Sequence, residues 1–595
     1  LARVQPPALP NVVLSLVESD TRSKFRPARR IQTADGLANR LSCLRRSHER
    51  FLRELAPPIE SRRQAIRLCE FDWRLEDPGR RTDIARLCKE KCGWQRIRVP
   101  HYGPPLGRAI AYYRTSFELD PAMIENRSLF VRFKGADYKA HVFVNGAYLA
   151  SHEGFFAPFD VDFTCAARAG ENQLLVVLEN DAILMGNGSW GPDGHKYEGD
   201  KIYAATGPGY DDPEVGWHHC PPGMGIYQDV VVESTNTLHI SDLFVRPLPE
   251  DSRAEAWIEI YNSDVRRLDA RIELSVWGLN FRKLVLANKS YPIPGSLGPG
   301  VNYLRFAIDM TGFRKWDTST PWLYQLQAFL KDGEGRNVDA ATSHFGMRSF
   351  RISEESEPKG AMYLNGLPVR LRGANTMGFE QLSVMRADRE RLIDDILLAK
   401  ACNLNFWRLT QRPVQSEVYD YCDRLGLMTQ TDLPLFGVLR RNKFCEAVKQ
   451  AEEMERLVRS HPCNVVVSFI NEPFPNGRGR PHRHLTKPEM ERFFAAASQA
   501  VLIANPDRAI KPVDGDYDPP SPGLPDNHCY CGWYGNHGLD IGLLHKGYWQ
   551  DIKPGWHYGC GEFGAEGLDS AEVMRRYYPA SWLPQSPAED AEWTP

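Results

Sequence analysis

Between about residue 67 and residue 236, apolar and polar side chains alternate in short runs separated by Gly, Pro and Asn. Leu129-Phe-Val-Arg-Phe133 and His141-Val-Phe-Val144 are two such runs, and Gly170-Glu-Asn-Gln-Leu-Leu-Val-Val-Leu-Glu179 is a third. Alternation with period two predicts half-buried strands, and Asn145-Gly146 after the second run is the pair that suits a tight hairpin turn. The segment 67–236 therefore reads as a β-sandwich of the jelly-roll type. A second series, including Ala256-Trp-Ile-Glu-Ile-Tyr261 and Arg271-Ile-Glu-Leu-Ser-Val-Trp277, fills 237–349. Its size and strand spacing predict an immunoglobulin-like β-sandwich.

After residue 350 the period changes. Leu392, Ile393, Ile396 and Leu397 fall on one helical face, with Asp388 as a candidate N-cap. A short strand at 405–409, a helix at 416–425, a strand at 427–431, a helix at 446–460 and a strand at 465–470 follow. Strands alternating with helices across short links predict a parallel sheet, most economically a (β/α)8 TIM barrel over 350–595. Only 33 residues follow Glu562, and they include the Pro- and acid-rich Leu583-Pro-Gln-Ser-Pro-Ala-Glu-Asp-Ala-Glu592, so the barrel is expected to be incomplete or to continue beyond this chain. Residues 1–66 carry many Arg and a helical stretch around 37–55, and read as an extension with no visible chemistry.

Composition narrows the function classes. Lys and Arg total 73 against 76 Asp and Glu, a formal charge of −3, so nucleic-acid binding has no electrostatic footing. No apolar run approaches the roughly 18 residues that span a bilayer. The 13 cysteines are odd in number and scattered, which leaves the compartment open. The 14 Trp are somewhat rich and suit carbohydrate, although most are expected in the core.

The candidate chemistry lies where barrel strands end. The apolar strand 465–470 runs straight into Asn471-Glu472-Pro473, and a second strand-like segment, Trp556-His-Tyr-Gly-Cys560, runs into Gly561-Glu562-Phe563-Gly564. Two carboxylates on separate strands are what glycoside cleavage needs, one protonated for the leaving oxygen and one ionised to attack the anomeric carbon.

The chain resembles glycoside hydrolase family 2 from about residue 67 to its end. Tyr113-Arg114, Gly135-Ala-Asp137, Val144-Asn-Gly146, Pro158-Phe159 and Gly225-Ile-Tyr-Gln228 carry the likeness in the first sandwich. Pro321-Trp-Leu-Tyr324 and Phe345-Gly-Met-Arg348 carry it in the second. Leu364-Asn-Gly366, Arg372-Gly-Ala-Asn375, Leu425-Gly-Leu427 and, most specifically, Arg459-Ser-His-Pro462 leading into Asn471-Glu472 carry it in the barrel. The resemblance implies a retaining exo-β-glycosidase with Glu472 as acid/base and Glu562 as nucleophile. It further implies Asn471 on the sugar 2-hydroxyl, Arg408 holding the nucleophile ionised, and Tyr530 hydrogen-bonded to it. His528 stands where the family often has Asn. Trp533, Asn375, Gln411 and Asp432 complete the expected substrate-binding set.

Thr376 and Gln411 replace a substrate-contacting His of many members, so the glycone is not transferable. The Mg2+ ligands of the β-galactosidase type have no counterpart in Thr431-Asp-Leu-Pro-Leu-Phe-Gly437, so no catalytic metal or other cofactor is expected. The unusual loop 188–223, rich in Trp and Asp, offers Trp190 and Trp217 as sugar contacts and acidic groups as a structural Ca2+ site. The expected partner is an oligosaccharide or glycoside, with no nucleic acid and no membrane, and with a homo-oligomer as one possibility. A carbohydrate-binding pseudoenzyme and an endo-acting β-glycanase are the competing readings.

Overall fold

The computed structural model describes residues 33–77, 79, 81–102, 109–180, 201–202, 224–355, 357–376, 378–473, 484–515, 522–531, 553–565, 575–576 and 580–583. Its first sandwich faces a six-stranded sheet against a four-stranded one. In the larger sheet, Ala109–Leu119 and Gly170–Asn180 pair antiparallel along their full length at the centre. In the smaller sheet, Arg127–Phe133 and Val230–Asn236 are the central strands. The alternation read from sequence is the packing: Leu129, Val131 and Phe133 meet Ala140, Val142 and Val144 in one core. Asn145 and Gly146 take φ of 52° and 83°, the left-handed pair of a tight hairpin, which Asn and Gly tolerate best.

The second sandwich pairs a three-stranded sheet, Leu238–Leu248 with Arg253–Asn262 and Gly300–Asp309, with a four-stranded one. Ile258, Ile260, Ile272, Leu274, Val276 and Leu326 fill the space between them.

Five parallel strands then form the continuous part of a barrel wall: Gly373–Thr376, Phe406–Leu409, Met428–Asp432, Asn464–Ser468 and Ala509–Ile510. The fourth strand resumes as Ile470–Asn471 beside Val513–Asp514, the continuation of the fifth, and a sixth strand, Asp526–Cys531, pairs with a seventh, Gly559–Ala565. Among the described residues there is no eighth strand. Helices Arg389–Ala401, Ser416–Leu425, Phe444–Val458 and Lys487–Ala504 cover the outside. Asp388 caps the first of these by accepting from the Arg391 amide at 3.0 Å. Thr486 and Glu489 form a reciprocal capping box on the last.

Most element ends shift by one to three residues from the sequence expectation, and one shift bears on the site. The strand carrying Glu562 is Gly559–Ala565, not 556–560, and Trp556 makes only an isolated bridge with Lys359. A Cβ at Gly559 would lie 2.4 Å from an Asp526 oxygen, and one at Gly561 would lie 2.1 Å from an Asp514 oxygen. Close approach of carboxylates forces glycine here, and a Gly-rich strand carries little apolar alternation.

Two features fasten the units together. Helix Ala34–Leu52 lies against the first two barrel helices, with Arg45 Nε 2.7 Å from Asp394 Oδ1, while its Phe51 meets Trp322 of the second sandwich at 4.9 Å. Residues 34–52 of the extension are therefore a structural strap. At the junction of second sandwich and barrel, His344 Nε2 and His461 Nδ1 both approach Asp423 Oδ2, at 2.9 Å and 2.7 Å, and the Cys463 amide donates to Oδ1 at 2.8 Å.

Burial alone would lower the His344 pKa, but Asp423 and Asp420 raise it above 6.5. Burial would raise Asp423, but His461 and His344 hold it far below its ordinary 3.8. The histidine contribution to stability is thus complete below pH 6.5 and lost as pH rises through the raised value. The aspartate contribution is present above 3.8 and lost at far lower pH. Replacing Asp423 by Ala is expected to cost about 3–5 kcal/mol in urea unfolding at pH 6. The penalty should shrink in alkali, and a penalty independent of pH would show the clamp to be uncharged.

Candidate active site

The ends of the second to seventh strands converge on a buried group of charges. Glu472 follows the fourth strand with φ of 46°, and its amide donates to Asp514 O at 2.8 Å, which turns the side chain inward at the fifth strand. Glu562 projects from the seventh strand beside His528 of the sixth, the two being register partners. His528 Nδ1 is 2.5 Å from Glu472 Oε1 and 3.6 Å from Glu562 Oε2. Taking one oxygen from each carboxylate and one nitrogen from His528, all three atoms lie within 4.8 Å of one another. The two carboxyls therefore face the same small volume.

Arg408 on the second strand organises the floor. Its Nη1 lies 2.7 Å from Glu562 Oε1 and 2.7 Å from Asp514 Oδ1, while Nε donates to Asp432 Oδ2 at 2.8 Å and Nη2 to Asn471 Oδ1 at 2.7 Å. A rigid guanidinium fork suits this many acceptors in a way an ammonium does not. Burial pushes the Asp432 carboxyl above its ordinary range in spite of Arg408. Behind Asp514, Gln430 Nε2 donates to its Oδ2 at 2.6 Å and Lys511 pairs with both Asp514 and Asp526. Burial would raise Asp514 too, but Arg408, Lys511 and His528 hold it well below the usual carboxylate range.

Arg408, Asn471, His528, Asp432 and both glutamates are thus brought together. Asn471 is 1 % exposed and gives its carbonyl oxygen to Arg408, so it reaches a ligand, if any, through its amide nitrogen. Asn375 sits on the first strand as the backbone partner of Arg408. Thr376 is buried and donates to Glu380 Oε1 at 3.2 Å, and half-buried Gln411 follows the second strand. Tyr530 pairs through its backbone with Gly564, and its side chain lies outside the described residues. Trp533, Trp190 and Trp217 lie outside the described residues altogether, as does nearly all of the loop expected to hold Ca2+. Of that loop, Lys201 is described: it is buried and paired with Asp137, and donates to Asn180 at 3.0 Å.

Sequence reasoning passes over Lys511, Asp514, Asp526 and Gln430. The one available signal is Val513-Asp514-Gly515, an acidic residue followed by glycine some forty residues after Glu472.

Three family models match the chain: residues 106–204 match the galactose-binding domain-like region of glycosyl hydrolase 2, 238–348 match glycosyl hydrolases family 2, and 357–489 match the TIM barrel domain of that family. Among solved structures, a Bacteroides uniformis β-glucuronidase is 19% identical with a TM-score of 0.66, over 83% of this chain and 58% of that one. A putative β-galactosidase from Bacteroides fragilis is 19% identical with a TM-score of 0.64, over 85% and 72%. A Bifidobacterium dentium β-glucuronidase complexed with coumarin-3-O-glucuronide is 19% identical with a TM-score of 0.66, over 86% of each chain. This chain spans less than two thirds of the first of these, and at such identities the likeness is one of fold.

Proposed function

The chain belongs to glycoside hydrolase family 2, and on that premise we propose that it is a retaining exo-β-glycosidase acting by double displacement. Glu562, its charge held by Arg408, attacks the anomeric carbon while Glu472 protonates the departing oxygen. A covalent glycosyl-enzyme forms, and Glu472 then takes a proton from the water that releases the sugar. The observation that supports this most is the approach of the two carboxylates, whose facing oxygens lie within 4.8 Å. Retention calls for carboxyls about 5–5.5 Å apart, whereas inversion needs about 6.5–9.5 Å to admit a water between them.

Catalysis is proposed to need no metal. The cationic positions among these carboxylates are taken by Arg408, Lys511 and His528, which neutralise Asp432, Asp514 and Glu562 from within the protein. The exo reading draws on the first sandwich docking beside the third barrel helix, where Lys443 Nζ meets Glu153 at 2.6 Å and Gln450 reaches Tyr138 at 3.4 Å. A binding protein has no use for an acid and a nucleophile in register, which disfavours the pseudoenzyme.

A panel of aryl-β-glycosides of galactose, glucuronic acid, mannose and glucosamine, set beside polysaccharide digestion, tests the proposal. Release from one aryl glycoside without shortening of polymers is expected, and dialysis against EDTA should leave the rate unchanged. Turnover of none would sink the enzyme reading, polymer shortening would favour an endo enzyme, and loss restored by Mg2+ would restore a metal to the mechanism.

A further inference from the structure

His528 is an imidazole where an amide would serve to orient a carboxylate, and it is held from both sides. Its Nδ1 faces Glu472 Oε1 at 2.5 Å and its Nε2 faces Asp514 Oδ1 at 2.9 Å. Gly515 makes this packing possible: it has φ of 95°, and a Cβ there would lie 2.9 Å from His528 Cε1 and 2.8 Å from Glu472 Cγ. We propose that the catalytic acid is a Glu472–His528 pair sharing one mobile proton, with Asp514 holding the imidazole from behind. The proposal rests on the retaining reading above and deepens it.

The charged groups around His528 all bear on the pair. Glu472 faces it from the fourth strand end, Asp514 from the fifth and Glu562 from the seventh, while Lys511 acts through its pairs with Asp514 and Asp526. Asp526, on its own strand, is 3.8 Å from Nε2. Arg408 and, through it, Asp432 act from the second and third strands by way of Asp514 and Glu562. Burial alone would pull the His528 pKa down, but Glu562, Asp514 and Glu472 together push it well above the ordinary imidazole value. In the resting site, on this proposal, the mobile proton lies between Nδ1 and Glu472 Oε1, which stand 2.5 Å apart.

The proton count closes over one cycle. In the first step the C–O bond to the aglycone breaks, a bond from Glu562 to the anomeric carbon forms, and the mobile proton leaves on the aglycone oxygen through Glu472. This leaves Glu472 a carboxylate and His528 a neutral imidazole that still donates from Nε2 to Asp514. Esterification of Glu562 removes the carboxylate that most favours the imidazolium, so the pair releases its proton as the covalent bond forms. In the second step water attacks, its proton passes to Glu472 and is shared again with Nδ1, and Glu562 regains its charge.

A pair that keeps its proton to high pH extends the alkaline side of the activity profile. The kcat/KM profile of the wild type, His528→Asn and Asp514→Asn should be measured on whichever aryl glycoside the panel identifies. Asn donates a hydrogen bond but carries no proton, so the basic limb should move down by roughly one pH unit or more in both variants. A merely structural role would lower the rate without moving that limb, and an unmoved limb would overturn the proposal. Nitrogen-15 NMR of His528 gives a readout that needs neither turnover nor a folded variant. A ring protonated on both nitrogens at pH 7 is expected, and a neutral ring at pH 7 would overturn the pair. Hydrolysis of no glycoside would instead defeat the retaining reading, whatever the charge on the ring.

Discussion

Glu562→Ala should lose turnover by at least about 10^4-fold on every substrate, irrespective of leaving group, because the attacking carboxylate is gone. Arg408 Nη1 would then face Asp514 alone, so the loss is not made good by a rearranged neighbour. Glu472→Ala should behave differently. Substrates with poor leaving groups should slow by about 10^2–10^4-fold, while those with good ones still form the glycosyl-enzyme and then stall for want of a base. Azide needs no base, so it should revive Glu472→Ala and yield a β-glycosyl azide. With Glu562→Ala, azide should give an α-azide by direct displacement or nothing. The stereochemistry, read by NMR of the product, decides the assignment: reversed products would exchange the two roles, and inversion by the wild type would end the double displacement.

The second large effect is expected at Arg408. Its side chain is 3 % exposed and touches Asp432, Asp514 and Glu562, so Arg408→Met leaves three carboxylates crowded with only Lys511 and His528 against them. Removing one partner from a buried ionic group costs about 3–5 kcal/mol, which urea unfolding will read. The charge that keeps Glu562 ionised goes at the same time, so the acid limb of kcat/KM should move up in pH and the rate should fall. Arg408→Lys keeps the charge but not the fork, and should fall between the two in both stability and acid limb. A lysine variant as active as the wild type, with an unmoved acid limb, would show that guanidinium geometry is not what positions the nucleophile.

The parts legible in the sequence are those where one period dominates. Helix Ser416–Leu425 coincides with its expectation because its apolar face is clean and Gly426 ends it with φ of 68°. Glu472 was equally visible, since the buried strand Asn464–Ser468 runs almost directly into it. Ion pairs inside the barrel obscure the rest. The fifth strand survives only as Ala509–Ile510 and Val513–Asp514, interrupted at Lys511, and two of its buried residues, Lys511 and Asp514, are charged, so neither length nor alternation marks it. The strand of Glu562 is likewise hidden by glycines that make way for Asp514 and Asp526. Partners distant in sequence are invisible to any local pattern, which is why the helical stretch around 37–55 reads only as part of an extension with no visible chemistry.

That strap sets a problem of timing during synthesis. Arg45 is separated from its partner Asp394 by 349 positions, and Arg424, which reaches the Leu52 carbonyl at 3.4 Å, by still more. At ribosomal speeds of about 5–20 residues per second, helix Ala34–Leu52 emerges roughly 20–70 s before the barrel helices that it packs against and that bury its Leu44. Both sandwiches can close in that interval and Phe51 can meet Trp322, but the side of the strap that faces the barrel must wait in water. A nascent chain of this protein is therefore expected to engage holding chaperones at residues 34–52, and to be released only when the second barrel helix has left the ribosome.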